Sequence, residues 1–109
     1  MPTRFDNRVI VDIGTSLTQV LASTATERIT VVGFNVTNPT ATDCYFDVKL
    51  TDALSTSGYY LKTISLPSEN TYKVITNGER LVLGPSTSIS VQSTLAASLH
   101  VTMSYVVIT

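Results

Sequence analysis

From Leu99 to Val107 every second residue is apolar: Leu99, Val101, Met103, Tyr105 and Val107. His100, Thr102 and Ser104 fill three of the positions between them. A period of two is the mark of a strand with one face in a core and the other in solvent. The pattern recurs upstream. Cys44, Phe46, Val48 and Leu50 alternate with Tyr45, Asp47, Lys49 and Thr51, and Val32, Phe34 and Val36 alternate with Gly33, Asn35 and Thr37. No segment carries a sustained helical period; Ala53–Ser57 and Thr94–Ala97 have room for a single helical turn. Composition agrees. The 109 residues include 18 Thr, 13 Val and 7 Ile, whose branched side chains suit a pleated surface, and 12 Ser. The chain therefore reads as all-β: an antiparallel β-sandwich, jelly-roll-like, with about eight or nine short strands.

Turn signals divide the chain. Residues 1–8 are expected to form a flexible N-terminal arm, and 9–109 a single β-sandwich domain, which the length suits. Strands are expected over Arg8–Ile13 and Leu17–Leu21. Further strands are expected over Glu27–Asn38, from Asp43 to Thr51, and over Tyr59–Leu66, Ser88–Ser93 and Ser98–Ile108. Asn38-Pro39, Pro67 and Gly84-Pro85 close three of these runs. Asn77-Gly78 lies between Lys73–Thr76 and Glu79–Leu83. That dipeptide tolerates the positive φ of a type I′ turn and predicts a tight hairpin there.

The chemistry that the sequence can host is limited. Seven Lys and Arg, eight Asp and Glu and a net charge of −1 give no basic field. Neither a nucleic-acid nor an anionic-membrane partner is expected. No apolar run is long enough to span a bilayer, and the polar start of the chain does not read as a signal peptide. Cys44 is the only cysteine, which excludes an intrachain disulfide and fits synthesis in a reducing cytoplasm. His100 is the only histidine and sits mid-strand, so a Ser-His-Asp triad has no support and a zinc site lacks ligands. A solvent-facing position or a pH-sensing subunit contact remain its two readings. Asp43, Asp47 and Asp52 follow no calcium-loop spacing. No catalytic, cofactor-binding or metal-binding residue is therefore expected, and the chain is not read as an enzyme.

Protein contacts are the remaining candidates. Tyr59 and Tyr60 are strand neighbours and point to opposite faces. They read as one core and one surface residue, or as a subunit contact, since Tyr offers apolar area with a polar tip. Arg4, Phe5 and Arg8 read as part of a loose tail, or as a segment that orders on a partner. Tyr45, Tyr59 and Tyr72 would have to serve as stacking rings in a carbohydrate- or receptor-binding sandwich, because the chain has no Trp. Only 14% of residues are charged, against about 25% in an average soluble protein. Ser and Thr stand on outer strand positions where Lys and Glu usually keep a monomer soluble. That points to a life in assembly.

Several segments together carry a family likeness. Gly14–Leu21 leads into Ile29–Thr40 (ITVVGFNVTNPT), followed by Tyr59-Tyr60-Leu61, Ile64-Ser65-Leu66-Pro67 and Arg80-Leu81-Val82-Leu83-Gly84-Pro85. The order of strands and turns over Leu17–Ile108 resembles small all-β virion proteins of tailed bacteriophages: head decoration (cement) proteins and neck or tail accessory proteins. The resemblance implies a sandwich or jelly-roll fold, often a homotrimer, and a place in the virion after synthesis in the host cytoplasm. It also implies partners among the major capsid protein or other virion proteins. The function expected from it is non-enzymatic stabilisation of an assembled head. A neck, tail-adaptor or fibre-attachment role is the nearest alternative. No catalytic residue is implied.

Overall fold

The structure is a computed structural model and describes residues 3–75 and 80–109. Nine strands make up the described chain: β1 (Thr3–Ile13), β2 (Thr18–Ala22), β3 (Arg28–Asn38), β4 (Cys44–Thr51), β5 (Ser57–Leu66), β6 (Asn70–Lys73), β7 (Leu81–Leu83), β8 (Ser88–Ser93) and β9 (Leu99–Ile108). They form two antiparallel sheets. One has the order β1-β9-β3-β6, with β7 also on β3, and the other has the order β2-β8-β4-β5.

The topology is a single long hairpin rolled up on itself. The outgoing strands meet the returning ones in reverse order: β4 with β5, β3 with β6 and β7, β2 with β8, and β1 with β9. Rolling brings β9 against β3 and β8 against β4, which completes each sheet. This is the two-sheet jelly roll that the turn spacing and alternation imply.

Alternation fills the space between the sheets. Phe34, Val36, Val101, Met103 and Val107 come from the first sheet, and Phe46, Val48, Ile89 and Val91 from the second; all are buried. Burying each Phe, Ile or Val contributes about 1.5–3 kcal/mol. Two features differ from the expectation. The first is Val32, which is 48% exposed, while Ile29 and Val31 are buried. The cause is a β-bulge: β3 advances from Val31 to Gly33 while β9 advances from Tyr105 to Ser104. The extra residue resets the parity, and an alternation read back from Phe34 assigns Val32 to the wrong face.

The described segments on either side of the expected hairpin pair with β3. β6 and β7 both run antiparallel to β3, so they run in the same direction along one edge of it. Leu81 pairs with Val31, and the Val74 N–H donates to the Phe34 carbonyl at 2.8 Å. Val74 and Ile75 are both buried, so the alternation that a hairpin ladder needs fails there. The Asn77-Gly78 turn itself lies outside the described residues.

Residues 3–8, expected as an arm, continue β1 in regular register with β9, from Thr3 opposite Ile108 to Arg8 opposite Met103. Residues 53–55 and Thr94–Ala97 form turns and bends, Ser57 already opens β5, and there is no helix among the described residues.

Buried polar groups fix the corners. Asn38 is fully buried at the end of β3. Its Nδ2 donates to the carbonyls of Thr42 (2.8 Å) and Leu66 (3.1 Å). Its Oδ1 accepts from the N–H (3.0 Å) and the hydroxyl (2.6 Å) of Thr40. One amide thus ties the Pro39–Thr42 turn to the end of β5. Asn38→Ala removes all four hydrogen bonds of this buried amide and is expected to cost about 3 kcal/mol. Asn35→Ala, on the outer face of β3, should stay within about 0.5 kcal/mol. Urea unfolding of the two variants beside the parent checks both values.

Candidate interaction surfaces

The candidate residues fall on two separate surfaces. Tyr59 and Tyr60 lie on β5, an edge of the second sheet, whereas Arg4, Phe5 and Arg8 lie on β1, an edge of the first. β5 faces β6 and β1 faces β8, so the two groups sit at opposite edges of the sandwich.

On β5 the neighbouring tyrosines divide as strand geometry requires. Tyr60 packs half-buried against the core, and Tyr59 is 51% exposed. Tyr59 stands opposite Lys49 of β4. The Lys62 and Lys49 ammonium groups lie 4.3 and 5.0 Å from the centroid of its ring. Each such contact is worth about 0.5–1 kcal/mol when exposed. Lys62 also pairs with Asp47 at 3.8 Å. The linear sequence gives no sign of this cluster, because Lys49 and Lys62 come together only through the pairing of β4 with β5. Tyr45, also exposed, lies four residues from Lys49 along β4, about 13 Å away. Tyr72 is not a surface ring: it packs edge-on against Phe46, centroids 5.6 Å apart.

The remaining polar candidates have structural partners. Asp47 accepts the Thr63 N–H at 2.6 Å, and Asp43 accepts the Ser68 N–H at 2.9 Å. Asp52 accepts from the N–H groups of Leu54 and Thr56, shaping the loop between β4 and β5. Among the described residues no three His, Cys, Asp or Glu side chains gather as a metal-binding group. His100 is on the outer face of β9, half-buried and opposite Thr37.

β1 is built the other way round from its neighbours. Arg4, Asp6 and Arg8 stand opposite Val107, Tyr105 and Met103, so they are on the core side. Because β1 is the edge, their chains reach past the rim to water. Arg4 Nε pairs with Asp6 Oδ2 at 3.2 Å, and Arg4 also reaches Glu27 at 4.0 Å. Phe5, Asn7 and Val9 are on the solvent side, with Phe5 80% and Val9 65% exposed. Phe5 shares a row with Val106, Thr30 and Val82 that runs across the outer face of the sheet. Beside that row is a depression of about 250 Å³, lined by Asn7, Val9, Gly33, Asn35, Thr102 and Ser104 together with Arg8 and Met103. Across β9 and the paired stretch of β1 this outer face is apolar or neutral, while exposed Arg28 of β3 and Lys73 of β6 place cations on the rest of it.

No protein-family model matches the sequence, and no curated protein matches it. Solved structures share its fold. One is a subunit from the Bacillus endospore appendages described as a family of disulfide-linked pili. Its TM-score is 0.61 at 12% identity, over 98% of this chain and 88% of that one. Others are chains of infectious bursal disease virus: one from the viral particle (TM-score 0.57, 7% identity) and a VP2 protein (TM-score 0.57, 10% identity). This chain is covered to 96% in both and spans 30% and 31% of their lengths. At such identities the likeness establishes the jelly-roll fold alone.

The disulfide linkage of the appendage subunit has no direct counterpart here. Cys44 is 3% exposed at the start of β4, facing the core. Its thiol should react with a thiol-specific disulfide reagent at least roughly 100-fold more slowly in the native protein than in urea. A stopped-flow absorbance trace under both conditions measures the ratio.

Proposed function

We propose that this chain is a non-enzymatic structural protein of a virion, acting as a decoration (cement) protein that binds the assembled head of a tailed bacteriophage. The observation that carries the reading is the outer face of the first sheet. Phe5, Val9, Val32 and Val82 are exposed there among Thr, Ser and Asn, with Arg28 and Lys73 as the cations on that face. A surface of that kind suits burial against other subunits. The jelly-roll fold shared with chains of a viral particle supports the same direction.

The mechanism is mass action. A subunit that binds only the mature lattice stabilises it by its binding free energy, and binding as an oligomer adds avidity. Major capsid protein is the partner in this reading, and the virion is the site of action. The trimer implied by the family likeness is one form such an oligomer can take, and the mass of the free protein in solution decides it.

Purified heads with the protein should survive heating or dilution into low salt that bursts heads lacking it. Equal survival with no protein bound would reject the proposal. Copy number separates it from a neck or tail-adaptor role: copies in proportion to capsomers mean the head lattice, and one small ring means the neck.

A second reading, a subunit of a self-assembled filament, has one specific observation in its favour. The endospore-appendage match covers nearly the whole of both chains. Filaments formed by the purified chain, seen by negative-stain microscopy, would favour it over head binding.

A further inference from the structure

β1 ends its sheet, and its outer edge carries unpaired backbone donors and acceptors. Over Thr3–Ile10 its register with β9 is regular, so this edge is straight and available over eight residues. Core-side charges at an edge ordinarily discourage a further strand. Here they follow a pattern, Arg4-Asp6-Arg8, that a second copy of the same strand can satisfy.

We infer that two copies of this chain pair β1 to β1 antiparallel about a two-fold axis at Asn7, joining their first sheets into one. In that register Asp6 of each copy stands opposite Arg8 of the other, giving two reciprocal ion pairs on the core side. Phe5 stands opposite Val9 of the other copy on the outer face, which continues the apolar row. Asn7 meets its own symmetry mate at the centre. Opposite charges and apolar pairs across strands are the contacts that stabilise a ladder. No ion pair among the described residues already occupies Arg8.

The neighbouring registers fail. A slip of one pair brings Asp6 onto Asp6 and Arg4 onto Arg8; the opposite slip brings Arg8 onto Arg8. Odd slips set the charged side of one strand against the apolar side of the other. Within Thr3–Ile10 the one rival with matched charges is centred on Phe5; it sets Arg8 opposite Pro2, which has neither a charge to answer it nor an N–H for the ladder. The charges thus act as a register key, attractive in one alignment and repulsive in its neighbours. An isologous contact of this kind is the ordinary basis of a two-fold dimer.

This inference deepens the assembly reading by naming its contact, and the two can fail separately. The measurement is mass in solution by light scattering across a concentration series. The expected species has twice the 11.8 kDa of the chain. Asp6→Arg alone, or Arg8→Asp alone, places like charges opposite each other and should weaken self-association roughly ten-fold or more. Mixed one to one, the two variants are complementary again and should form a heterodimer. Asn7→Cys should cross-link between copies under mild oxidation, with Phe5→Cys as the comparison. Circular dichroism of each variant verifies that the sandwich is intact, as substitutions at the exposed rim should leave it.

A monomer at all concentrations, a mixture that fails to associate, or preferential cross-linking through Phe5→Cys would each overturn the inference. A monomer that nevertheless binds heads would overturn the contact and leave the decoration reading standing.

Discussion

The two-sided pairing of β9 holds the molecule together. One edge of this strand carries β1 and the other carries β3, while its odd-numbered residues fill the core. Breaking either ladder opens the roll: without β3 the first sheet splits, and without β1 the core loses the cover that Ile10 and Ile13 provide. The second sheet needs β8 in the same way, between β2 and β4. The last two strands are therefore wedges driven between the first strands and the middle ones. The open edge of β1 is held in place only because β9 presents a ladder on which it lies.

Much of this architecture is legible in the amino-acid sequence. Wherever a strand is buried on one face and regular, its apolar period identifies both strand and face, as in β4, β8 and β9. The period misleads where it is interrupted. One bulge residue in β3 is enough to send Val32 outward, because parity counted along a sequence does not register an unpaired residue. The Asn77-Gly78 dipeptide carries a strong local turn preference, yet the segments beside it find the long free edge of β3 instead of each other. The strand over Thr3–Arg8 escapes sequence reasoning for a related cause. Its apolar residues face out and its charges face in, the inverse of what a strand in a core displays.

The surfaces are legible in part. That Tyr59 and Tyr60 face opposite ways follows from strand geometry alone. The lysines around Tyr59 do not, since one comes from β4 and the other from β5. The shortage of charge in the sequence acquires a location in the structure. It shows on the outer face of β1 and β9, where Phe5, Asn7, Val9, Thr102, Ser104 and Val106 stand together without a charge among them. A neutral surface of this sort carries little desolvation penalty when covered, compared with a charged one.

The rolled hairpin also orders events in time. β4 and β5 are joined by a short loop and can meet early, whereas Thr3 must find Ile108 across almost the entire chain. Loop closure favours the near pair first and the distant pair last. During synthesis β1 emerges long before β9 exists to receive it. Arg4, Asp6 and Arg8 occupy the side of β1 that β9 later places toward the core, so until then that side stays hydrated, and the order of closure asks the most water-compatible of the long strands to wait longest.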